Sequence, residues 1–198
     1  MKGMTTPPLD RAAARTRFRL DGRSVALDRR VHAARGDLAD LSLAGTLFSA
    51  HYARAVPLTC VAPGAAILAA AAPTAEAVSQ LLRGETFHAL DVTTDWAWGF
   101  CGHDGYVGYI RRDALDVAET PTHRIMARVA PLFSAADIKS AIADYWPGGA
   151  QFAGEDQGDF IACAEGFIHR RHAGPVAAPP GDWVAVAQRY LGQPYVWG

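Results

Sequence analysis

Short apolar runs broken by Gly, Pro and Asp fill the middle of the chain, and they read as strands rather than helices. Residues 56–61 form a β-rich run stopped by Pro63-Gly64. Residues 66–70 are short and flanked by prolines, which favours strand or loop. Gly84 breaks the chain, and residues 86–92 then alternate, with Phe87, Ala89 and Leu90 as apolar members. Residues 91–95 read as a turn, and the aromatic-rich residues 96–100 as a strand. His103-Asp104-Gly105 is a tight hairpin signal, because Asp-Gly supplies a position with positive φ. Residues 106–110 are the return strand.

The same pattern recurs in shortened form. Gly84-Glu85-x-Phe87, Asp95-Trp96-Ala97-Trp98 and Asp104-Gly105-Tyr106-Val107 are matched by Gly149-Ala150-x-Phe152, Asp159-Phe160-Ile161-Ala162 and Glu165-Gly166-Phe167-Ile168. Each copy needs a similar barrel to bury its aromatics, so the repeat predicts two small all-β barrels.

The flanks differ. Residues 1–55 are polar and irregular, and the apolar positions of residues 37–47 fit neither period, so an arm packing across later domains is expected. The predicted organisation is an arm over 1–55, a first barrel over 56–118, a second over 122–172 and a Pro/Gly linker over 173–181. Asp182 is then a good N-cap for a short amphipathic helix over residues 183–191, with Val184, Ala187 and Leu191 on one face and Gly192 ending it. A capped helix and the aromatic loop that follows cannot bury a core alone, so residues 182–198 read as the first piece of a further domain.

Charge and composition narrow the chemistry. The 198 residues carry a net charge of −1 and no Lys/Arg block, which argues against a nucleic-acid surface. No apolar run suits a secretory signal or a membrane span. A soluble, cytoplasmic protein with free thiols is expected, with no membrane partner and no cofactor. The three cysteines, Cys60, Cys101 and Cys163, lack CxxC spacing and read as small buried hydrophobes. Cys101-Gly102-His103 looks like a Cys/His pair, but it sits at a hairpin tip with no third partner evident. His169 and His172 are expected to diverge near a strand end, so no metal site is predicted. Trp96, Trp98, Phe100 and Tyr109 read as barrel core or interdomain packing, and Glu85 as a surface strand residue.

The terminal string Leu191-Gly192-Gln193-Pro194-Tyr195-Val196-Trp197-Gly198 resembles the opening of the NlpC-type cysteine peptidase domain, where a helix ends in Leu-Gly-x-Pro-Tyr-x-Trp-Gly-Gly. Gln80-Leu81-Leu82-x-Gly84-Glu85, Trp96-Ala97-Trp98 and residues 104–110 are similar to the first bacterial SH3 domain of such proteins, and residues 122–172 to the second. The resemblance implies a mainly β chain: two tandem SH3-like β-barrels with an N-terminal arm, and a C-terminal helix that begins a truncated α+β papain-like domain. It implies a γ-D-glutamyl-diamino-acid endopeptidase that cuts L-Ala-γ-D-Glu from a diamino acid during recycling of cell-wall peptides. The catalytic Cys and its polar partners, usually His, are then expected beyond Gly198, so the chain alone is expected to be inactive.

In that family the first SH3 domain closes one end of the substrate groove. An acid and a tyrosine bind the ammonium of a free N-terminal L-Ala on the murein peptide. By motif position these look like Glu76 and Tyr106; an Ala/Pro-rich insertion blurs the alignment at Glu76. A monomer is expected. The competing readings are a stand-alone SH3-type module that holds wall peptides and a protein-interaction domain that grips proline-rich strands through its aromatics.

Overall fold

A computed structural model of the chain describes residues 26–117, 119–178 and 181–197. Residues 1–25 of the expected arm, the Pro179-Pro180 pair of the expected linker and Gly198 lie outside the described residues. The fold is mainly β.

The described arm begins with two short parallel strands, β1 (Leu38–Asp40) and β2 (His51–Ala53), joined through a 3₁₀ turn over Leu41–Leu43. The first barrel follows as β3 (Val56–Cys60), β4 (Gly64–Leu68), β5 (Ala77–Leu82), β6 (Thr86–Val92), β7 (Trp96–Cys101), β8 (Val107–Arg111) and β9 (Leu115–Val117). Their order in the sheet is β5-β4-β8-β7-β6-β3-β9, antiparallel throughout.

Period-2 alternation divides this sheet into two apolar faces. Ala97, Cys101 and Ile110 point inward and pack with Cys60, Ile67, Leu81 and Phe87. Trp98, Phe100, Val107 and Tyr109 face the other way, where Ala33, Leu38, Ala53 and Ala55 of the arm cover them together with Leu90. Arg35 pins that cover: its guanidinium lies 4.7 Å from the Trp98 ring centre and bonds Asp37 at 2.8 Å and Asp91 at 2.5 Å. Of the two readings expected for Trp98, Phe100 and Tyr109, packing against a neighbouring segment holds: they are the floor under the arm rather than barrel core.

The second barrel is built from β10 (His123–Ile125), β11 (Val129–Phe133), β12 (Ile142–Pro147), β13 (Gln151–Phe152), β14 (Glu155–Gln157), β15 (Phe160–Cys163), β16 (Gly166–His169) and β17 (Ala173–Pro175). Its pairings repeat those of the first one for one, with β10 pairing β13 and β17 as β3 pairs β6 and β9. The counterpart of β6 is broken into β13 and β14 around Ala153-Gly154. The core comprises Ile125, Leu132, Trp146, Phe152, Ile161 and Ile168.

The structure corrects four details of the sequence reading. Residues 173–175, expected as linker, are a strand that completes the second barrel, because their backbone pairs with β10. Residues 77–82, left unassigned within the Ala/Pro-rich stretch, form β5. β6 spans residues 86–92 as expected, so the turn after it is confined to residues 93–95 rather than 91–95. The helix α1 spans only Trp183–Gln188, capped by Asp182 through a 2.9 Å bond from the Val184 N–H, and residues 189–191 are turns.

Arg83 and Gly84 join the barrels. Arg83 donates to the Val61 carbonyl and pairs with Glu165 of the second barrel, while its guanidinium lies 4.3 Å from the Trp146 ring centre. Gln151 N–H donates to the Arg83 carbonyl at 2.8 Å. Gly84 adopts φ +82°, and a Cβ there would collide with the Gln151 carbonyl oxygen. The helix region rests on the second barrel through a 2.9 Å bond from Arg189 to the Met126 carbonyl. No helix among the described residues is long and apolar enough to cross a membrane.

Candidate functional site

The β7–β8 hairpin tip carries a cluster of polar side chains, His103 and Asp104 with Ser79 and Glu85 beside them. Its backbone is closed by bonds from Gly105 N–H to the Cys101 carbonyl and from Cys101 N–H to the Tyr106 carbonyl, both 3.0 Å. Gly105 has φ +75°, as the Asp-Gly signal predicted. Asp104 organises the turn: Oδ1 accepts the Tyr106 N–H at 2.9 Å, and Oδ2 accepts the Ser79 hydroxyl at 2.6 Å. His103 Nε2 lies 3.2 Å from Asp104 Oδ2, and its Nδ1 lies 3.8 Å from Glu85 Oε2.

Tyr106 is half-buried at the base of this tip, beside the arm, where the Val107 N–H donates to the Arg30 carbonyl at 2.8 Å. Glu76 is exposed and directly precedes β5; its carbonyl accepts the Ala69 N–H at 2.9 Å. Both Ala77 and Tyr109 pair with Leu68 of the intervening strand β4. Glu76 and Tyr106 therefore lie at the same end of the sheet, each just before its strand, and those strands are two positions apart. No hydrogen bond joins them among the described residues.

Between the barrels lies a groove of about 390 Å³. Cys60, Arg83, Glu119, Gln151, Phe152 and Glu165 are among its lining residues. Its cation, Arg83, is already committed to Val61 and Glu165. Its other charged lining residues, Asp116, Glu119 and Glu165, are acidic.

All three thiols are shifted away from nucleophile chemistry. Burial pushes Cys60 up to about 11 and Cys101 up to about 12, and it raises Cys163 as well. A reactive thiolate needs the opposite shift. His169 and His172 have ring centres 5.8 Å apart, and His169 Nδ1 already accepts the Arg171 N–H.

The Cys60 shift has a consequence for stability. The folded state holds this proton more tightly than an unfolded chain, whose thiol ionises near 9.0. The contribution is complete below about pH 9 and is lost as pH rises towards about 11. Urea midpoints measured from pH 8 to 11 should fall more steeply in the native protein than in Cys60→Ala. Parallel curves would show that the thiol contributes nothing.

Sequence reasoning missed Asp104 as the third member of a cluster with Cys101 and His103. It treated Asp104 only as a turn residue, although the adjacency was visible.

Residues 67–115 match the family model described as the bacterial dipeptidyl-peptidase SH3 domain. That stretch contains β5 to β8 and the hairpin tip. No curated protein matches the sequence. Among solved structures, an NlpC/P60 family protein from Bacillus cereus superposes with a TM-score of 0.56 at 12% identity. The superposition covers 72% of this chain and 66% of that one. NlpC2 and NlpC1 from Trichomonas vaginalis are 16% and 18% identical, with this chain covered over 62% and theirs over 49% and 46%. Both superpose with a TM-score of 0.28. Residues 67–115 thus resemble a bacterial SH3 domain of the dipeptidyl-peptidase type, and over 72% of its length the chain shares its fold with an NlpC/P60 protein of which it spans just under two thirds.

Proposed function

We propose that this chain is the substrate-gating, non-catalytic SH3 portion of a murein-peptide endopeptidase. The second barrel is read as a second SH3 domain, and residues 182–197 as the opening of an NlpC-type catalytic domain. That domain would cut L-Ala-γ-D-Glu from a diamino acid in recycled, cytoplasmic wall peptides. The observation that carries this reading is the match of residues 67–115 to the dipeptidyl-peptidase SH3 model, in the barrel that holds both Glu76 and Tyr106.

Two further features support it. Trp183, Leu191, Tyr195, Val196 and Trp197 are exposed, with Tyr195 at 84%, so this segment presents an apolar surface with little cover of its own. The arm already covers Trp98, Phe100 and Tyr109, which leaves those aromatics unsuited to gripping a proline-rich strand.

In this reading the Glu76 carboxylate pairs with the ammonium of the N-terminal L-Ala, and the Tyr106 hydroxyl adds a directed hydrogen bond. A substrate blocked at its N-terminus loses both. A hydrogen bond to a charged group is worth about 1.5–3 kcal/mol, so Glu76→Gln and Tyr106→Phe should each lower kcat/KM by roughly tenfold to a hundredfold. The measurement is made in the enzyme that joins this chain to its catalytic domain, on L-Ala-γ-D-Glu-diamino-acid peptides. N-acetylated peptides should be cleaved equally poorly by all three proteins. Unchanged kinetics on the free-amine substrate in both variants would remove the assignment.

A further inference from the structure

The hairpin tip holds more donor atoms than a turn requires. We propose that Cys101 Sγ, a ring nitrogen of His103 and a carboxylate oxygen of Asp104 bind a thiophilic divalent cation, with zinc the best fit. The donor set is the first reason. One donor atom from each residue lies within 4.8 Å of the other two. Ligands placed around zinc at roughly 2.0–2.3 Å stand somewhat closer together than this, so a small side-chain adjustment completes the site. His103 Nε2 and Asp104 Oδ2, at 3.2 Å, are already at the spacing of adjacent ligands. A thiolate and a carboxylate together balance the double charge of the ion, which suits the buried side of the turn.

The surroundings are the second reason. The other ring nitrogen of His103 faces Glu85 Oε2 at 3.8 Å, and that carboxylate is held by the Leu82 N–H at 2.8 Å. A carboxylate on the far side of a histidine ligand helps orient the ring, and at 3.8 Å this one stands just beyond hydrogen-bond distance. Ser79 and the Tyr106 N–H likewise fix the Asp104 carboxylate. Cys60 and Cys163 each donate to backbone carbonyls, Cys60 to Ala62 at 3.5 Å and Cys163 to Gly166 at 3.3 Å. Among the described residues Cys101 makes no such backbone bond and instead lies beside Ser79 and Asp104. His103 also lines a neighbouring cleft together with Glu85, His88 and Gly102, so the cluster is reached from that side.

Binding breaks the Cys101 S–H bond and forms a sulfur–metal bond, with the proton released to solvent. None of the three ligands is a proposed substrate contact, so the site stands or falls apart from the peptidase reading.

The test is a titration of the chelator-washed 198-residue chain with Co²⁺ alone, followed by Zn²⁺. One equivalent of Co²⁺ should bind with a thiolate-to-cobalt charge-transfer band that Zn²⁺ removes. Cys101→Ser should abolish the band, while Cys60→Ala and Cys163→Ala keep it. His103→Ala and Asp104→Asn, at the more exposed positions, should each weaken binding by about tenfold or more, since even outer-shell losses reach that scale. Absence of the band in the native chain at millimolar Co²⁺ would overturn the proposal. So would a band that survives Cys101→Ser, or unchanged affinity in both His103→Ala and Asp104→Asn.

Discussion

Arg83→Ala should separate the unfolding of the two barrels. The Arg83 side chain is only 12% exposed and serves three partners: the Val61 carbonyl in its own barrel, and Glu165 and the Trp146 ring in the next. Its loss leaves a carbonyl and a carboxylate short of a partner and uncovers the Trp146 face. A cation–π contact contributes about 0.5–2 kcal/mol and a charge-assisted hydrogen bond about 1.5–3 kcal/mol. The terms overlap, so a coupling loss of about 2–4 kcal/mol is expected between the barrels. Gly84→Val should act in the same direction by a different route. Its backbone is left-handed, and a Cβ there meets the Gln151 carbonyl. Denaturation followed by tryptophan fluorescence and by backbone circular dichroism should give one coincident transition in the native chain. In either variant it should give two separated ones. Coincident transitions in both variants would mean that the Arg83-Gly84 joint does not couple the barrels.

Trp146→Ala should be the most damaging single substitution in the second barrel. Trp146 is 1% exposed and packs with Phe152, the two rings 5.3 Å apart and edge-on. Truncating a buried Trp costs about 3–5 kcal/mol, part from lost transfer free energy and part from the cavity left behind. The adjacent Tyr145 provides the contrast. It lies on the opposite face of β12 and is 56% exposed, so Tyr145→Ala should change stability by no more than about 0.5 kcal/mol. Urea unfolding of the two variants measures the difference. Similar costs at both positions would contradict the face assignment of β12. Trp146→Ala also removes the ring under Arg83, so part of its effect should reappear as weaker coupling between the barrels.

Much of the fold was legible because its signals are local. The alternation around Phe87 and the Asp104-Gly105 turn each depend on a few consecutive residues, and the structure has both. The Asp182 cap was legible for the same reason. β5 was not, because Ala77-Val78-Ser79-Gln80 follows an Ala/Pro-rich stretch that masks its period. β17 was hidden too: Ala173-Gly174-Pro175 has the composition of a linker and becomes a strand only because β10 offers it a partner.

The candidate site divides in the same way. Tyr106 and Glu76 follow from motif position in the sequence, whereas their place at one end of the sheet depends on pairing through Leu68. The Cys101–His103 pair was visible in sequence, but its value turned on a third donor. Asp104 becomes that donor through the closed turn and through Ser79, which comes from 25 residues away.

The amino-acid sequence by itself determined the mainly β class, the doubled aromatic pattern and the tight hairpins, since side-chain alternation and turn geometry are set within a few residues. Only the tertiary structure decided that the arm buries the outer aromatics, that Arg83 clasps the second barrel, and that Cys101, His103 and Asp104 converge. Each of these needs chain segments far apart in sequence to return to one place, and what brings them there is the burial of apolar surface across the whole fold.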